Sequence, residues 1–190
     1  SQVQGCMLSS LPDLDTGAVK VQEQIRGYLQ ALLDMGVRGF RIDGAKHMAA
    51  RDLAAILDGL ALPDGGSPYI YTEVIDYDQN ERVRDWEYTP YGDVSEFEYS
   101  ITVMGGKFNC GGSLSDLENV PGYNNMLPDR FAVVFTDNHD NQRGHGPGGS
   151  CIVDHRDGPV HTLANVFTLA YPYGYPMVTS SFYWNKNPVG

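Results

Sequence analysis

Val37-Arg38-Gly39-Phe40-Arg41-Ile42-Asp43 is an apolar, strand-like run that ends on an acid. The arrangement returns twice. Tyr69-Ile70-Tyr71-Thr72 runs directly into Glu73, and Phe131-Ala132-Val133-Val134-Phe135-Thr136 leads into a polar segment containing Asp140. One acid at a strand end is ordinary. Three in one alternating chain point to a shared site, because the C-terminal strand ends of a parallel α/β barrel converge on one rim. Two or three carboxylates gathered there are what glycosidic-bond hydrolysis requires.

The segments around these runs support a parallel sheet. Asp15 and Thr16 have helix-start chemistry, Val21, Ile25, Leu29 and Leu32 recur at helical spacing, and Gly36 stands where a helix stops. Leu53, Ile56, Leu57 and Leu60 mark a second amphipathic helix, and Pro63 to Pro68 a turn-rich break. The spacing predicts a loop from Asp76 to Gly92, a strand from Val94 to Tyr99, a short helix from Ser113 to Asn119, a helix from Val160 to Ala170 and a last strand from Pro176 to Ser180. Helices alternating with strands give the α/β class. About five strands are visible, whereas a closed barrel needs eight and ~250 residues. An open half-barrel leaves strand edges unpaired. The expectation is therefore the latter part of a (β/α)8 TIM barrel.

Composition narrows the partners. The 190 residues are 42% hydrophobic and 19% charged, with a net charge of −11, as expected of a globular chain with a core. That acidity disfavours nucleic acid and anionic membrane surfaces. No run is long and apolar enough to span a bilayer, and no leader pattern is visible at the start. Cys6, Cys110 and Cys151 lack C-x-x-C spacing, so a structural zinc site is not expected. Their pairing stays open at this point.

Period-two alternation puts Arg41 and Asp43 on one strand face, so Arg41 has an anion beside it. A purely structural ion pair is the competing reading. Lys46 and His47 follow closely and suit a substrate groove or a solvent-facing turn. Val74 and Ile75 put apolar surface beside Glu73, which favours the protonated form that a general acid needs. The densest polar segment is Asp137-Asn138-His139-Asp140-Asn141-Gln142-Arg143-Gly144-His145-Gly146. Directly after a buried strand, such a segment is more often site than scaffold. The glycines from Gly144 to Gly149 give it the mobility of a substrate-covering loop. No G-K-S/T follows, so phosphate cradling is not expected.

These segments resemble the α-amylase family of retaining glycoside hydrolases. Gly39-Phe40-Arg41-Ile42-Asp43 with Lys46-His47 is similar to its fourth-strand motif, Glu73-Val74-Ile75 to its fifth, and Phe135-Thr136-Asp137-Asn138-His139-Asp140 to its seventh. The run Asn138 to Gly146 and Tyr171-Pro172-Tyr173-Gly174 resemble the animal-type, chloride-dependent members. The resemblance implies a partial catalytic domain over residues 1–190, covering strands four to eight, with residues 1–15 from the end of the small inserted domain.

By the same resemblance, Asp43 is the nucleophile, Glu73 the general acid/base and Asp140 the stabilising carboxylate. Arg41, Lys46, His47, Ile75, His139 and His145 contact substrate, which is starch, glycogen or malto-oligosaccharides. Calcium takes Asp13 and the backbone carbonyls of Gln4 and His47, with further ligands preceding this chain. Cys6 pairs with a cysteine that also precedes it. Chloride takes Arg41 and Asn138, but Met177 replaces the basic residue expected on the eighth strand, so chloride activation is expected to be weak or absent. The complete protein is expected to be secreted and monomeric, and to act on no nucleic acid or membrane.

Two other classes were weighed. Asn138-His139-Asp140 and Gly144-His145 look superficially like metallophosphoesterase motifs, but those need an earlier D-x-H and more histidines, and His47 is the only histidine before position 139. A catalytically inactive barrel fragment, or an amylase-like binding or assembly module, is the alternative. The presence of all three acids argues against decay.

Overall fold

The computed structural model describes residues 2–7, 11–77, 81–122 and 126–180. They form two compact units, residues 1–95 with 130–132, and residues 96–129 with 133–190.

The first unit contains helix α1 (Val19–Asp34), strand β1 (Gly39–Ile42), helix α2 (Ala50–Leu57), and strands β2 (Tyr69–Thr72) and β3 (Asp93–Ser95). β1 pairs parallel with β2, Gly39 facing Tyr69 and Ile42 facing Thr72. β2 pairs parallel with β3, Tyr71 facing Asp93 and Thr72 facing Val94. The approach of β1 to β2 needs a glycine: a Cβ on Gly39 would lie 2.4 Å from the Tyr69 carbonyl oxygen.

The apolar face read from the sequence builds the core of this unit. Leu29 and Leu33 of α1 pack with Ile56, Leu60 and Leu62, flanked by Ile25, Phe40, Met48 and Leu57. α1 begins at Val19, later than expected. Asp15 instead closes a turn, its carboxylate accepting from the Gly17 amide at 3.2 Å and its carbonyl from the Ala18 amide at 3.0 Å. Thr16 donates its hydroxyl to Asp52 of α2 at 3.2 Å. Gly36 ends α1 with a φ of 106°, which L-residues with a Cβ rarely adopt. The carbonyls of Ala55 and Ile56 in the last turn of α2 accept from Arg26, placing a cation at the negative end of that helix.

The second unit contains a π-helical stretch, Tyr99–Gly105, continued by a turn of α-helix, α3 (Gly106–Phe108). A 3-10 segment, Leu114–Gly122, follows, with a non-helical Asn119 inside it. Strand β4 (Ala132–Val134), helix α4 (Pro159–Ala170) and strand β5 (Tyr175–Pro176) complete the described elements. β4 pairs parallel with β5 through Val133–Tyr175 and Val134–Pro176. Val133, Val134 and Phe135 are buried, as a two-faced parallel strand requires. Cys110 and Cys151 form a disulfide across 41 residues, and Cys6 forms none among the described residues.

Three strand expectations are shortened. The strand expected from Val94 to Tyr99 ends at Ser95; the Glu96 amide still donates to the Val133 carbonyl at 2.9 Å, and the Glu96 carboxylate then accepts from the Glu98 amide at 3.0 Å where a helix begins. Its other oxygen accepts from the Leu127 amide at 2.7 Å, which pairs a fully buried charge. Phe131 lies in a 3-10 turn rather than in β4. β5 covers Tyr175–Pro176, so the strand expected from Pro176 to Ser180 is realised only at its first residue. Residues 181–190 and 78–80 lie outside the described residues.

Leu33 is fully buried at the centre of the α1–α2 cluster. Leu33→Ala is expected to cost about 2–5 kcal/mol, read as a lower midpoint in a urea melt at unchanged slope.

Candidate active site

The parallel register of β1 and β2 brings two of the three acids together. Ile42 faces Thr72, so the next residues, Asp43 and Glu73, leave neighbouring strands side by side. The Glu73 amide continues the ladder by donating to the Ile42 carbonyl at 2.9 Å. Arg41 binds both acids. One guanidinium nitrogen donates to Asp43 and the other lies 2.8 Å from Glu73 Oε1. Glu73 Oε2 accepts from the Gly44 amide at 3.0 Å. Burial works against the Arg41 charge, but the hydrogen bond to Asp43 and the fields of Glu73 and Asp43 overcome it and raise its pKa.

The two carboxylates differ in exposure. The Asp43 side chain is 77% exposed and that of Glu73 only 11%. Val74 is buried and Ile75 half-buried beside Glu73. The sequence offered Asp43 or a bound anion as the partner of Arg41; in the structure Arg41 is shared between Asp43 and Glu73. The structure also adds Tyr71, one alternation before Glu73, whose pKa burial raises between the opposing charges of Arg41 and Glu73.

Lys46 is not a solvent-facing turn residue. Its ammonium donates to the Ile75 carbonyl at 2.8 Å and pairs with Glu81 at 2.9 Å. His47 Nδ1 lies 3.1 Å from the Val3 carbonyl oxygen, which sets the turn Gln2–Gln4 beside the turn Ala45–His47. Gln4 and His47, two of the three residues expected to hold calcium, therefore sit on adjacent turns. Asp13 is exposed. Among the described residues, no group of three or more His, Cys, Asp or Glu side chains could hold a metal.

In the second unit, the segment after β4 folds into a tight turn. Asn138 Oδ1 accepts from the amides of Asp140 at 3.0 Å and Asn141 at 2.9 Å, and Asn141 Oδ1 accepts from the Asn138 amide at 2.8 Å. Asn141 also donates to Ser100, whose hydroxyl donates to the Thr136 carbonyl at 2.8 Å. This scaffold presents His139 and Asp140, each about half exposed, with His139 Nε2 3.3 Å from Asp140 Oδ2. His145 is exposed, and its amide donates to the Asp140 carbonyl at 3.0 Å. Asp137 is buried and meets His161 of α4 at 2.9 Å. Burial raises the Asp137 pKa, with His161 opposing. At the eighth-strand position, the Met177 amide donates to the Val134 carbonyl at 2.8 Å.

Comparison with known proteins agrees with this arrangement. No family model matches the chain. Human alpha-amylase 1B is 43% identical over 195 residues, covering 98% of this chain and 38% of its own length. Alpha-amylase of Tribolium castaneum is 40% identical, over 100% of this chain and 39% of its own. The crystal structure of alpha-amylase I from Eisenia fetida, a mutant with maltohexaose, superposes with a TM-score of 0.91 at 40% identity, covering 98% of this chain and 39% of that one. This chain belongs to the α-amylase family. It is of the animal type, and its fold is the latter part of a (β/α)8 barrel, about strands four to eight. A cyclodextrin glucanotransferase from an alkalophilic bacillus, 18% identical with a TM-score of 0.68, shares the fold. The chain spans about two fifths of the length of the relatives it matches.

The turn that presents Asp140 hangs on one side chain. Asn138→Ala strips two amides of their acceptor and is expected to cost about 1–3 kcal/mol. Hydrogen exchange should show lost protection at the Asp140 and Asn141 amides, with β4 unchanged.

Proposed function

We propose that the protein to which this chain belongs is an α-amylase that cleaves internal α-1,4-glucosidic bonds of starch or glycogen with retention of configuration. The observation that carries this reading is the pair of carboxyls on neighbouring parallel strand ends, one exposed and one buried, bound by a single guanidinium. Retention needs two carboxyls ~5–5.5 Å apart in different protonation roles. The exposed Asp43, ion-paired with Arg41, is the group able to attack an anomeric carbon. Glu73 is the group that gives a proton to the departing glycosidic oxygen, then takes one from the water that releases the sugar from Asp43. Asp140 is the third carboxylate, stabilising positive charge at the sugar ring and holding its hydroxyls. His139 contacts the sugar at the cleavage site, Lys46 and His47 line the leaving-group side, and Ile75 and His145 are further substrate contacts. The malto-oligosaccharide bound to the Eisenia relative supports this substrate class.

Calcium is the metal this reading adds. Main-chain carbonyls on the neighbouring turns of Gln4 and His47, with the Asp13 carboxylate, are hard oxygen donors suited to it. Three donors fall short of the six to eight that calcium takes, so further oxygens complete the site. Bound calcium would hold these two turns together. Chloride activation is weak or absent on this reading. A thioether at Met177 supplies no positive charge, and Arg41 already has two carboxylates for partners. The protein works outside the cell, where its polymeric substrate is, as a monomer. Residues 1–15 close the small inserted domain.

A 2-fluoroglycosyl trapping reagent is expected to label Asp43 in the complete protein. Labelling at another residue, or none, refutes the assignment. Asp43→Asn and Glu73→Gln should each lower kcat by several orders of magnitude, since each removes a reacting carboxyl.

A further inference from the structure

The chain that leaves β2 carries a buried charge cluster that the reaction above does not use. Asp76 lies three residues beyond Glu73 and is 5% exposed; Asp85 is 4% exposed. Arg84 Nε donates to Asp76 Oδ2 at 2.5 Å, and the Asp85 amide donates to the same oxygen at 3.3 Å. Asp85 Oδ1 accepts from the Trp86 amide at 2.6 Å, and the Arg84 amide donates to Glu87 at 2.7 Å. Asp76 Oδ1 is buried and has no hydrogen-bond partner among the described residues.

Two buried carboxyls therefore lie near one guanidinium, whose side chain is itself only partly exposed. Ionising both acids places two anions on one cation, which burial penalises. A single proton on the pair removes the conflict, because it leaves one anion for the guanidinium. Burial first, and then the Asp76 charge, push the Asp85 pKa up to about 7, against the Trp86 amide and Arg84. Among the described residues, Lys46 pairs with Glu81 and donates to the Ile75 carbonyl, and the Glu87 carboxylate accepts from the Arg84 amide. Tyr88, next in the chain, donates its hydroxyl to the Met48 carbonyl at 2.6 Å.

We propose that Asp76, Arg84 and Asp85 are positioning residues: with one proton on the two carboxyls they clamp the segment Arg84–Trp86 onto the chain leaving β2, and so fix the Ile75 carbonyl that Lys46 reaches. Loss of that proton loosens the clamp. The consequence for catalysis rests on the α-amylase reading; the clamp itself does not. The folded state holds a proton that an unfolded aspartate gives up. Its stabilising contribution is complete below about pH 4 and is lost as the pH rises to about 7.

Asp85→Asn preserves shape and removes the titration. In the full-length protein, hydrogen exchange of the peptide spanning residues 81–88 is followed from acid to alkaline pH, with intrinsic exchange rates divided out. The wild type is expected to lose protection as the pH passes about 7, and Asp85→Asn to keep it. Arg84→Gln should lose protection at every pH, and Arg84→Lys should recover part of it. Identical profiles for wild type and Asp85→Asn overturn the clamp. On a chromogenic malto-oligosaccharide, the wild-type KM should rise severalfold on the alkaline side with kcat less changed, and Asp85→Asn should abolish the rise. An unchanged KM profile overturns the positioning role. Absence of any hydrolysis refutes the functional reading and leaves the exchange result to decide the clamp.

Discussion

The site depends on the parallel register between β1 and β2. Four residue pairs match in step, from Gly39–Tyr69 to Ile42–Thr72. The first residue beyond each strand is an acid. Two carboxylates emerging side by side repel each other, and the fold answers with Arg41, one alternation back on β1. That guanidinium works while half-buried, where charge interactions are stronger than in water. A slip of one residue in either strand would turn Arg41 to the other face and leave the acids unpaired. Gly39 permits the strands to approach in this step, since a Cβ there would lie 2.4 Å from the Tyr69 carbonyl oxygen. Register and chemistry are thus set by the same few residues.

Much of this was legible in the sequence because strand ends and helix faces are local patterns. Leu29 and Ile56 lie on the predicted apolar faces and Gly36 ends α1 where expected, but the fully buried place expected of Leu32 is taken by its neighbour Leu33. The acids at Asp43 and Glu73 needed only the alternation of apolar runs with polar ends. The errors came where a side chain took over a main-chain role. Phe97 and Tyr99 have strand-like chemistry, yet the Glu96 carboxylate accepts from the Glu98 amide where a helix begins. Asp15 closes a turn with its own backbone rather than starting α1. Such choices depend on which partners tertiary packing brings near, and spacing does not encode them.

Long-range polar pairs were invisible for the same reason. The sharing of Arg41 with Glu73, the Asp137–His161 contact and the Asp76–Arg84–Asp85 cluster join residues 8 to 32 positions apart. Each consists of residue types that are usually solvated. Only burial distinguishes them from surface charges. Asp85 has a neighbouring aromatic and a neighbouring arginine, but nothing in Arg84-Asp85-Trp86 announces a nearly buried carboxyl.

The glycine-rich segment is anchored at both ends. Its first end is held by the Asp140–Asn141 turn, where the Arg143, Gly144 and His145 amides donate to carbonyls of Asp140 and Asn141. Its far end is held by the Cys110–Cys151 disulfide and by Asn109, which donates to the carbonyls of Ser150 and Cys151. Between these anchors Gly146, Gly148 and Gly149 sit at positive φ, where side chains other than glycine are strained. A loop with free ends pays for every conformation it must give up when it orders over a ligand. Fixing both ends in advance removes most of that cost, since closure entropy is set by how far the ends can wander. The exposed His145 is therefore carried on a short leash, free to adjust yet unable to leave the neighbourhood of Asp140. The pairing of Cys110 with Cys151, which spacing left open, is what sets the length of that leash.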